Sequence, residues 1–332
     1  MLKSMNHPKF ISTIYAYIKE HDLISPGSTV IIGLSGGPDS VFLTHLLVSL
    51  RQEYGLTLIA AHINHGWRPE ADDDARFCQA LVHNLGIGYE QAHLRDLTVT
   101  KKFNGSHEEM ARHARRSFFN QCAQKYQAQH IALAHHADDQ EETFFIRMMR
   151  GATLTGLVGM RPQQGSYVRP LLATYKKDIL AYLHQQGIAY CHDVTNADTR
   201  YLRNRIRHTV LPALKTCDAR FPFTFQRALA SLQETELFLD NLARQAFTQS
   251  LHTLPPYGQG ICIARVLAYD RVIRDRVIMH WLIQHKVPYT PQTRFIEEIV
   301  RFLSSPRGGV HQLHAQWHIL KKQSFAYIQS TT

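Results

Sequence analysis

The sequence predicts a doubly wound, parallel α/β domain followed by a smaller, mainly helical domain with a short β tail. Three observations predict it. Through the first half, short apolar runs alternate with helix-period patterns. Glycines fall where those helices should stop. After Pro212 the pattern turns helical, and it becomes alternating only near the C-terminus. Strands and helices that alternate through short crossovers give a parallel sheet covered by helices on both faces.

In chain order, Thr29–Leu34 reads as the first strand: it is apolar, β-branched and bounded by glycine. Leu43, Leu46, Leu47 and Leu50 share one face of a helix over 41–54. Leu56–Ile63 is the second strand, 72–85 a helix, Tyr89–Leu94 the third strand and 108–126 a helix. His130–Ala134 is the fourth strand, and a helix follows over 139–150. Gly55, Gly86 and Gly151 stand at the expected C-caps. In the second half, helices are expected at about 223–247, 265–285 and 291–304, with short strands through Val310–Ile328. The first domain is assigned 1–214 and the second 215–332.

Bulk composition narrows the function. The chain has 332 residues, 44% of them hydrophobic, which suits two domains with real cores. Met1–Lys9 is polar and no apolar run is long enough to span a bilayer, so a cytoplasmic protein is expected. The five cysteines are odd in number and scattered, with no C-x-x-C; Cys191 alone stands near a candidate site. That pattern suits reduced thiols. A net charge of +10, with 21 histidines besides, suits a polyanionic partner.

Ligands in a parallel sheet bind beyond the strand C-termini. That rule sets three loops side by side: 35–40, 64–70 and 135–139. In the first, Ser35-Gly36-Gly37-Pro38-Asp39-Ser40 joins strand to helix. Two glycines let the backbone approach an anion, and the helix N-terminus holds it. No lysine follows them, so this is not the G-x-x-x-x-G-K-[ST] loop. S-G-G-x-D-S resembles instead the loop of enzymes that split ATP into AMP and pyrophosphate, where the position of Asp39 carries a carboxylate for magnesium.

The fourth strand runs into His135-His136-Ala137-Asp138-Asp139-Gln140-Glu141-Glu142. Asp139 reads as a helix N-cap, with Glu142 completing a capping box. Both carboxylates also share a helix face, so with Asp39 they form a candidate magnesium set. His62, Asn64 and His65 close the second strand and can meet adenine or phosphate. Arg112 and Arg115 lie at i, i+3 in E-E-M-A-R-H-A-R-R, a spacing that by itself describes a solvated basic face. Asp193 can hold an ammonium group, and Arg203, Arg205 and Arg207 in R-N-R-I-R can hold phosphates.

Together and in this order, S-G-G-P-D-S, H-I-N-H-G, E-E-x-A-R, A-H-H-A-D-D-Q-x-E-T and D-x-x-N-x-D…R-N-R-I-R resemble the tRNA(Ile)-lysidine synthetase family across residues 30–208. The resemblance implies a Rossmann-like PP-loop ATPase domain and a helical domain that recognises tRNA. It implies that ATP adenylates the carbonyl oxygen on carbon-2 of the wobble cytidine of tRNA(Ile) with a CAU anticodon. Free L-lysine then displaces AMP. ATP and Mg2+ are the implied cofactors.

The implied ATP site is Ser35 to Ser40 with His62, Asn64 and His65. The implied catalytic and metal groups are Asp39, His135, Asp139 and Glu142. The implied lysine and tRNA contacts are Arg112, Arg115, Asp138, Asp193, Arg203, Arg205 and Arg207. His135, Asp138 and Asp139 are candidates for taking the lysine proton. Arg116 stands where the family usually shows tyrosine, Trp67 stands for a commoner leucine, and many members carry a third domain. The alternatives are another PP-loop tRNA-modifying enzyme such as a thiolase, or a non-catalytic nucleotide-binding module. For the second domain, a dimer interface is the other use open to it.

Overall fold

A computed structural model describes residues 9–66, 70–97, 107–191, 202–288 and 293–330, with the side chains of 107–109 left aside. The chain divides into two compact units, residues 1–229 and 230–332.

In the first unit, α1 (Lys9–Glu20) precedes β1 (Thr29–Gly33), α2 (Pro38–Tyr54), β2 (Thr57–Asn64), α3 (Ala71–Leu85) and β3 (Gly88–His93). Then come α4 (His107–Lys125), β4 (His130–Ala132), α5 (Ala137–Met149), α6 (Leu154–Leu157), β5 (Gln163–Gln164), β6 (Tyr167–Val168) and α7 (Lys176–Gln185). The sheet order is β3-β2-β1-β4-β6-β5. Every pair is parallel except β5 with β6.

Alternation along β1 builds two cores. Val30 and Ile32 pack with Leu43, Leu47 and Ala60 on one face. Ile31 packs with Ile59, Phe118, Phe119 and Ile131 on the other. Side chains two apart point the same way, so a strand covered on both faces is apolar throughout. Chain order departs in both directions from β1, to β2 on one side and β4 on the other. A crevice opens where such a reversal occurs, beyond the strand C-termini.

Beyond α7 lie α8 (Leu202–Arg205), a π-helical stretch Ile206–Val210 and α9 (Leu211–Cys217). Pro212 cannot donate to the carbonyl one turn before it, which favours the wider turn there. Next, α10 (Phe221–Ser250) begins in the first unit and continues into the second.

The division at 229/230 differs from the 214/215 read in the sequence. Leu211 is buried, and Lys215 pairs with Glu141 of α5 at 2.9 Å. Phe225 packs edge-on to Phe144 and stacks on Phe145. These contacts hold α9 and the start of α10 to the first unit.

The second unit continues α10 into β7 (Leu251–Leu254), β8 (Gly258–Cys262), α11 (Ile263–Ala268), α12 (Arg271–Gln284) and α13 (Thr293–Ser304). It ends in β9 (Gly309–His314), β10 (Trp317–Lys322) and β11 (Phe325–Ser330). The antiparallel sheet runs β7-β8-β11-β10-β9. Its core is built from Trp281, Ile278, Ile299 and Ile319.

The expected helix over 265–285 is two helices, parted at Tyr269 and Asp270. The hairpin β7–β8 has no counterpart in the sequence reading. Gly258 and Gly260 give it poor intrinsic strand preference. A Cβ on Gly260 would stand 2.3 Å from the Ala326 carbonyl oxygen, so close pairing with β11 requires glycine.

Candidate active site

The loop after β1 is shaped by its own side chains. Ser40 Oγ donates to the Gly37 carbonyl at 2.9 Å and accepts the Ser35 backbone N–H at 3.1 Å. Gly37 caps α2 in extended backbone and Pro38 opens the helix, a position where no N–H is needed. Gly36 has φ +84°, and a Cβ there would meet Cys191 Sγ at 3.2 Å and Cys78 Sγ at 3.3 Å. Only glycine satisfies both the conformation and the space. The first turn of α2 therefore opens onto a cavity of about 830 Å³ beyond β1, β2 and β4.

The strand β4 stops at Ala132, sooner than the expected Ala134, and residues 133–136 lead out of the sheet into α5. His136, rather than Asp139, is the N-cap of α5. Asp139 sits in the first turn and reaches back, its Oδ2 accepting the His136 backbone N–H at 3.0 Å. Glu142 is fully buried and takes no part in that cap. The box is shifted because the chain must first turn out of the sheet before the helix can start.

Carboxylates surround His136. Its Nε2 lies 3.6 Å from both Asp39 Oδ2 and Asp139 Oδ2, and its Nδ1 lies 3.4 Å from Asp138 Oδ2. Burial alone would depress its pKa, but Asp138, Asp139 and Asp39 outweigh burial and raise it. Asp138 and Asp139 are held below the usual carboxylate range: burial opposes this, and it is overcome by His136 and, respectively, the Lys176 N–H and Arg203. His135 goes the other way. Burial lowers its pKa to about 4, with Arg169, Arg203 and Arg112 adding to the effect against Asp139.

Behind this layer, Arg203 donates to Glu142 Oε2 at 2.6 Å and to Asp139 Oδ1 at 2.7 Å. Arg207 donates to both Glu142 oxygens, at 2.5 and 3.2 Å. Lys215 reaches Asp138 at 3.4 Å as well as Glu141. Lys176, in the first turn of α7, donates to Asp39 Oδ2 at 3.2 Å, and its backbone N–H binds Asp138 Oδ2 at 2.9 Å.

Of the residues expected at ATP, Ser35, Gly37, Pro38, Asp39, Ser40, His62, Asn64 and His65 line the cavity, and Gly36 lies within the same loop. His62 is fixed by Nδ1 on the Leu34 carbonyl at 3.0 Å, and its Nε2 is buried with no hydrogen-bond partner. Asn64 is anchored by Asp72 at 2.7 Å. His135, Asp139, Arg115 and Arg207 also line the cavity; Arg112, Asp138, Glu142, Arg203 and Arg205 do not. Asp193, Trp67 and Arg68 lie outside the described residues.

Three expectations are corrected. Glu142 is a poor metal ligand, because two arginines hold its carboxylate. Arg203 and Arg207 are partners of buried carboxylates rather than free phosphate contacts. Cys78 does adjoin the site: it rises from α3 to meet Cys191 under Gly36.

Among the described residues no three His, Cys, Asp or Glu side chains are grouped to hold a metal. Asp39 is the oxygen donor that fits magnesium, since its Oδ1 is buried with no hydrogen-bond partner. Magnesium commonly binds through one or two carboxylates plus substrate phosphates. The sequence reading placed His136 in the strand-end motif without a role of its own, and it missed Lys176 and Tyr190. His136 is adjacent to the chosen His135, and only the direction of each imidazole separates them. Lys176 opens a helix far along the chain, with no motif around it.

Residues 7–214 match the family model described as PP-loop domain. The chain is 30% identical over 311 residues to the tRNA(Ile)-lysidine synthase of Bacillus cereus, covering 91% of this chain and 65% of that protein. It is 37% identical over 279 residues to the protein of the same name from Geobacillus kaustophilus, covering 82% of this chain and 60% of that one. The chain thus spans less than two thirds of the length of these relatives. The U34-tRNA thiolase NcsA from Methanococcus maripaludis superposes with a TM-score of 0.57 at 19% identity, over 68% of this chain and 80% of that one, a likeness of fold.

Proposed function

The chain belongs to the PP-loop domain family, and on that premise we propose that it joins L-lysine to carbon-2 of the wobble cytidine of tRNA(Ile) with a CAU anticodon. ATP is converted to AMP and pyrophosphate through an adenylated cytidine. One observation carries the reading: the phosphate loop, the strand-end residues His62–His65 and the start of α5 converge on a single cavity. The relatives named tRNA(Ile)-lysidine synthase, which align with about nine tenths of the chain, support the choice of substrate.

The chemistry suits these residues. A pyrimidine carbonyl oxygen leaves poorly, and AMP leaves well. The loop and the N-terminus of α2 hold phosphate oxygens in line for attack. Asp39 would hold magnesium together with the triphosphate, and the ion would neutralise charge on the phosphates when bound. Lys176 fixes the other oxygen of Asp39.

The lysine amine attacks only when neutral, and its ordinary pKa is about 10.4, so a neighbour must take the proton. His136 is best suited, because three carboxylates stabilise its charged form. His135, with a pKa near 4, stays neutral and serves as a hydrogen-bonding wall. A cytoplasmic setting goes with this reaction; no helix among the described residues is long and apolar enough to cross a membrane.

The test is mass spectrometry of tRNA(Ile) digested after incubation with the protein, ATP and lysine. Lysidine at the wobble position, formed with equimolar AMP and pyrophosphate, is the expected result. Pyrophosphate release without lysine incorporation, or sulfur in place of lysine, would overturn it.

A further inference from the structure

Beside the cavity, three parts of the first unit bring four arginines together. Arg112 and Arg116 lie one turn apart on the exposed side of α4. Arg169 directly follows β6 and is only 7% exposed. Its backbone N–H binds the Pro162 carbonyl at 2.9 Å and its Nη1 the Arg161 carbonyl at 2.8 Å. Arg147, near the end of α5, is pinned by the Gly156 and Gly159 carbonyls at 2.7 and 3.3 Å. Arg112 is near enough to repel both Arg147 and Arg169, and Arg116 also repels Arg169.

Among the described residues none of these four meets a carboxylate, whereas Arg203 and Arg207 in the same unit are paired with one. Arg169 Nε is buried with no hydrogen-bond partner. Arg116 lies over the Tyr167 ring, 5.0 Å from its centre, which holds the guanidinium in place. Guanidinium groups gathered in a partly buried place without anions repel one another, and a bound anion relieves that repulsion through charge-assisted hydrogen bonds. Planar guanidinium groups match phosphate in particular.

Position decides which anion. Arg115 and Arg207 line the cavity; Arg112, Arg116, Arg147 and Arg169 do not. The cluster still adjoins the cavity, because its wall residue His135 interacts with Arg169 and Arg112. An anion on the cluster is therefore separate from a phosphate in the Gly36–Gly37 loop. A polynucleotide whose base enters a cavity leaves its phosphates outside, next to the opening.

We propose that Arg112, Arg116 and Arg169 form a docking site for a phosphodiester of the RNA strand whose base enters the cavity. The site rests on the reading that the substrate is RNA. Arg116 and Arg112 supply the exposed donors. Arg169, anchored from below, adds positive potential and holds its neighbours' charges unmatched until phosphate arrives.

The test uses the full chain and an anticodon stem-loop RNA, with no ATP or lysine present. Affinity is measured against salt for wild type, Arg112→Gln, Arg116→Gln and the double variant, together with ATP affinity and melting temperature. Each lost phosphate contact should reduce the slope of log affinity against log salt by about 0.7. The double variant should bind RNA about tenfold more weakly, with ATP affinity unchanged. If a glutamine variant melts low, Arg116→Tyr replaces it, since that side chain can still pack on Tyr167.

An unchanged slope in variants that melt like wild type would overturn the site while leaving an RNA substrate intact. Loss of ATP affinity instead would give the cluster to the nucleotide and also overturn it. A wild-type chain that binds no RNA would remove the functional reading and the site together.

Discussion

Asp39 carries two different oxygens. Oδ2 is held by Lys176, while Oδ1 is buried without a hydrogen-bond partner. Asp39→Asn keeps the shape and removes the charge. Pyrophosphate release should fall by two orders of magnitude or more, about the loss seen on removing one preorganised electrostatic group. The melting temperature should stay near wild type. Release at the wild-type rate would show that Asp39 holds neither metal nor phosphate.

The adjacent histidines diverge with pH. The pKa of His135 is lowered from 6.5 to about 4. Its neutral form stabilises the fold above pH 6.5, and that contribution is lost as pH falls toward 4. That of His136 is raised, so its contribution is complete below pH 6.5 and is lost as pH rises through its folded value. Between pH 6.5 and 4 the His135 contribution falls together with those of other histidines whose pKa burial lowers, among them His45, His62 and His130, while Asp138 and Asp139 titrate lower still. His135→Asn should therefore flatten the fall of melting temperature across that window. A fall as steep as wild type would show that His135 is not buried neutral.

At the scale of elements, the turn after β1 was legible because its geometry is local. Glycines, proline and serine within six residues determine the loop without help from elsewhere. The run from α8 to α9 was legible only as basic. Charge in sequence does not say whether an arginine faces solvent or a buried carboxylate. Arg203 and Arg207 meet Glu142, whereas Arg205 is exposed.

The two kinds of arginine should separate on mutation. Arg203→Ala leaves Glu142 and Asp139 less compensated and should destabilise the fold by up to about 3–5 kcal/mol, the loss found on breaking a buried ion pair. Arg207 remains on Glu142 and will moderate that loss. Arg205→Ala should lower the melting temperature less than Arg203→Ala does and lower the salt slope of RNA binding by about 0.7–0.9. The reverse pattern would make Arg205 structural and Arg203 a nucleic-acid contact.

At the scale of the whole chain, the +10 charge and the two units go with a polyanionic substrate. We expect the second unit to supply RNA affinity through exposed residues such as Arg265, Arg301 and Arg307, since Arg271, Arg274 and Arg276 are paired with carboxylates. A chain ending at Leu229 should bind ATP as the full chain does and lose RNA affinity at physiological salt. One ending at Thr216 also loses Phe221 and Phe225, and with them the packing on Phe144 and Phe145. Losing a buried phenylalanine costs about 3–5 kcal/mol, so this shorter chain should melt well below the one ending at Leu229. Equal melting temperatures would return the boundary to 214/215. RNA affinity retained without the second unit would give that unit another task.

By itself the sequence determined what depends on neighbours in the chain. Short apolar runs alternating with helix-period patterns determined the parallel sheet and its helices, and six consecutive residues determined the phosphate loop. Burial and pairing arise only when distant segments meet, and they decided the rest. Lys215 and Phe225 read as part of a second domain until their contacts with α5 hold them to the first. Gly260 carries no strand signal in the sequence, and only pairing with Tyr327 of β11 makes it part of a strand. His136, rather than His135, became the basic imidazole because Asp39 arrives from α2, while Asp138 and Asp139 approach from its own helix. A pKa depends on distances in space, and a side chain one residue away in sequence can lie in the opposite electrostatic environment.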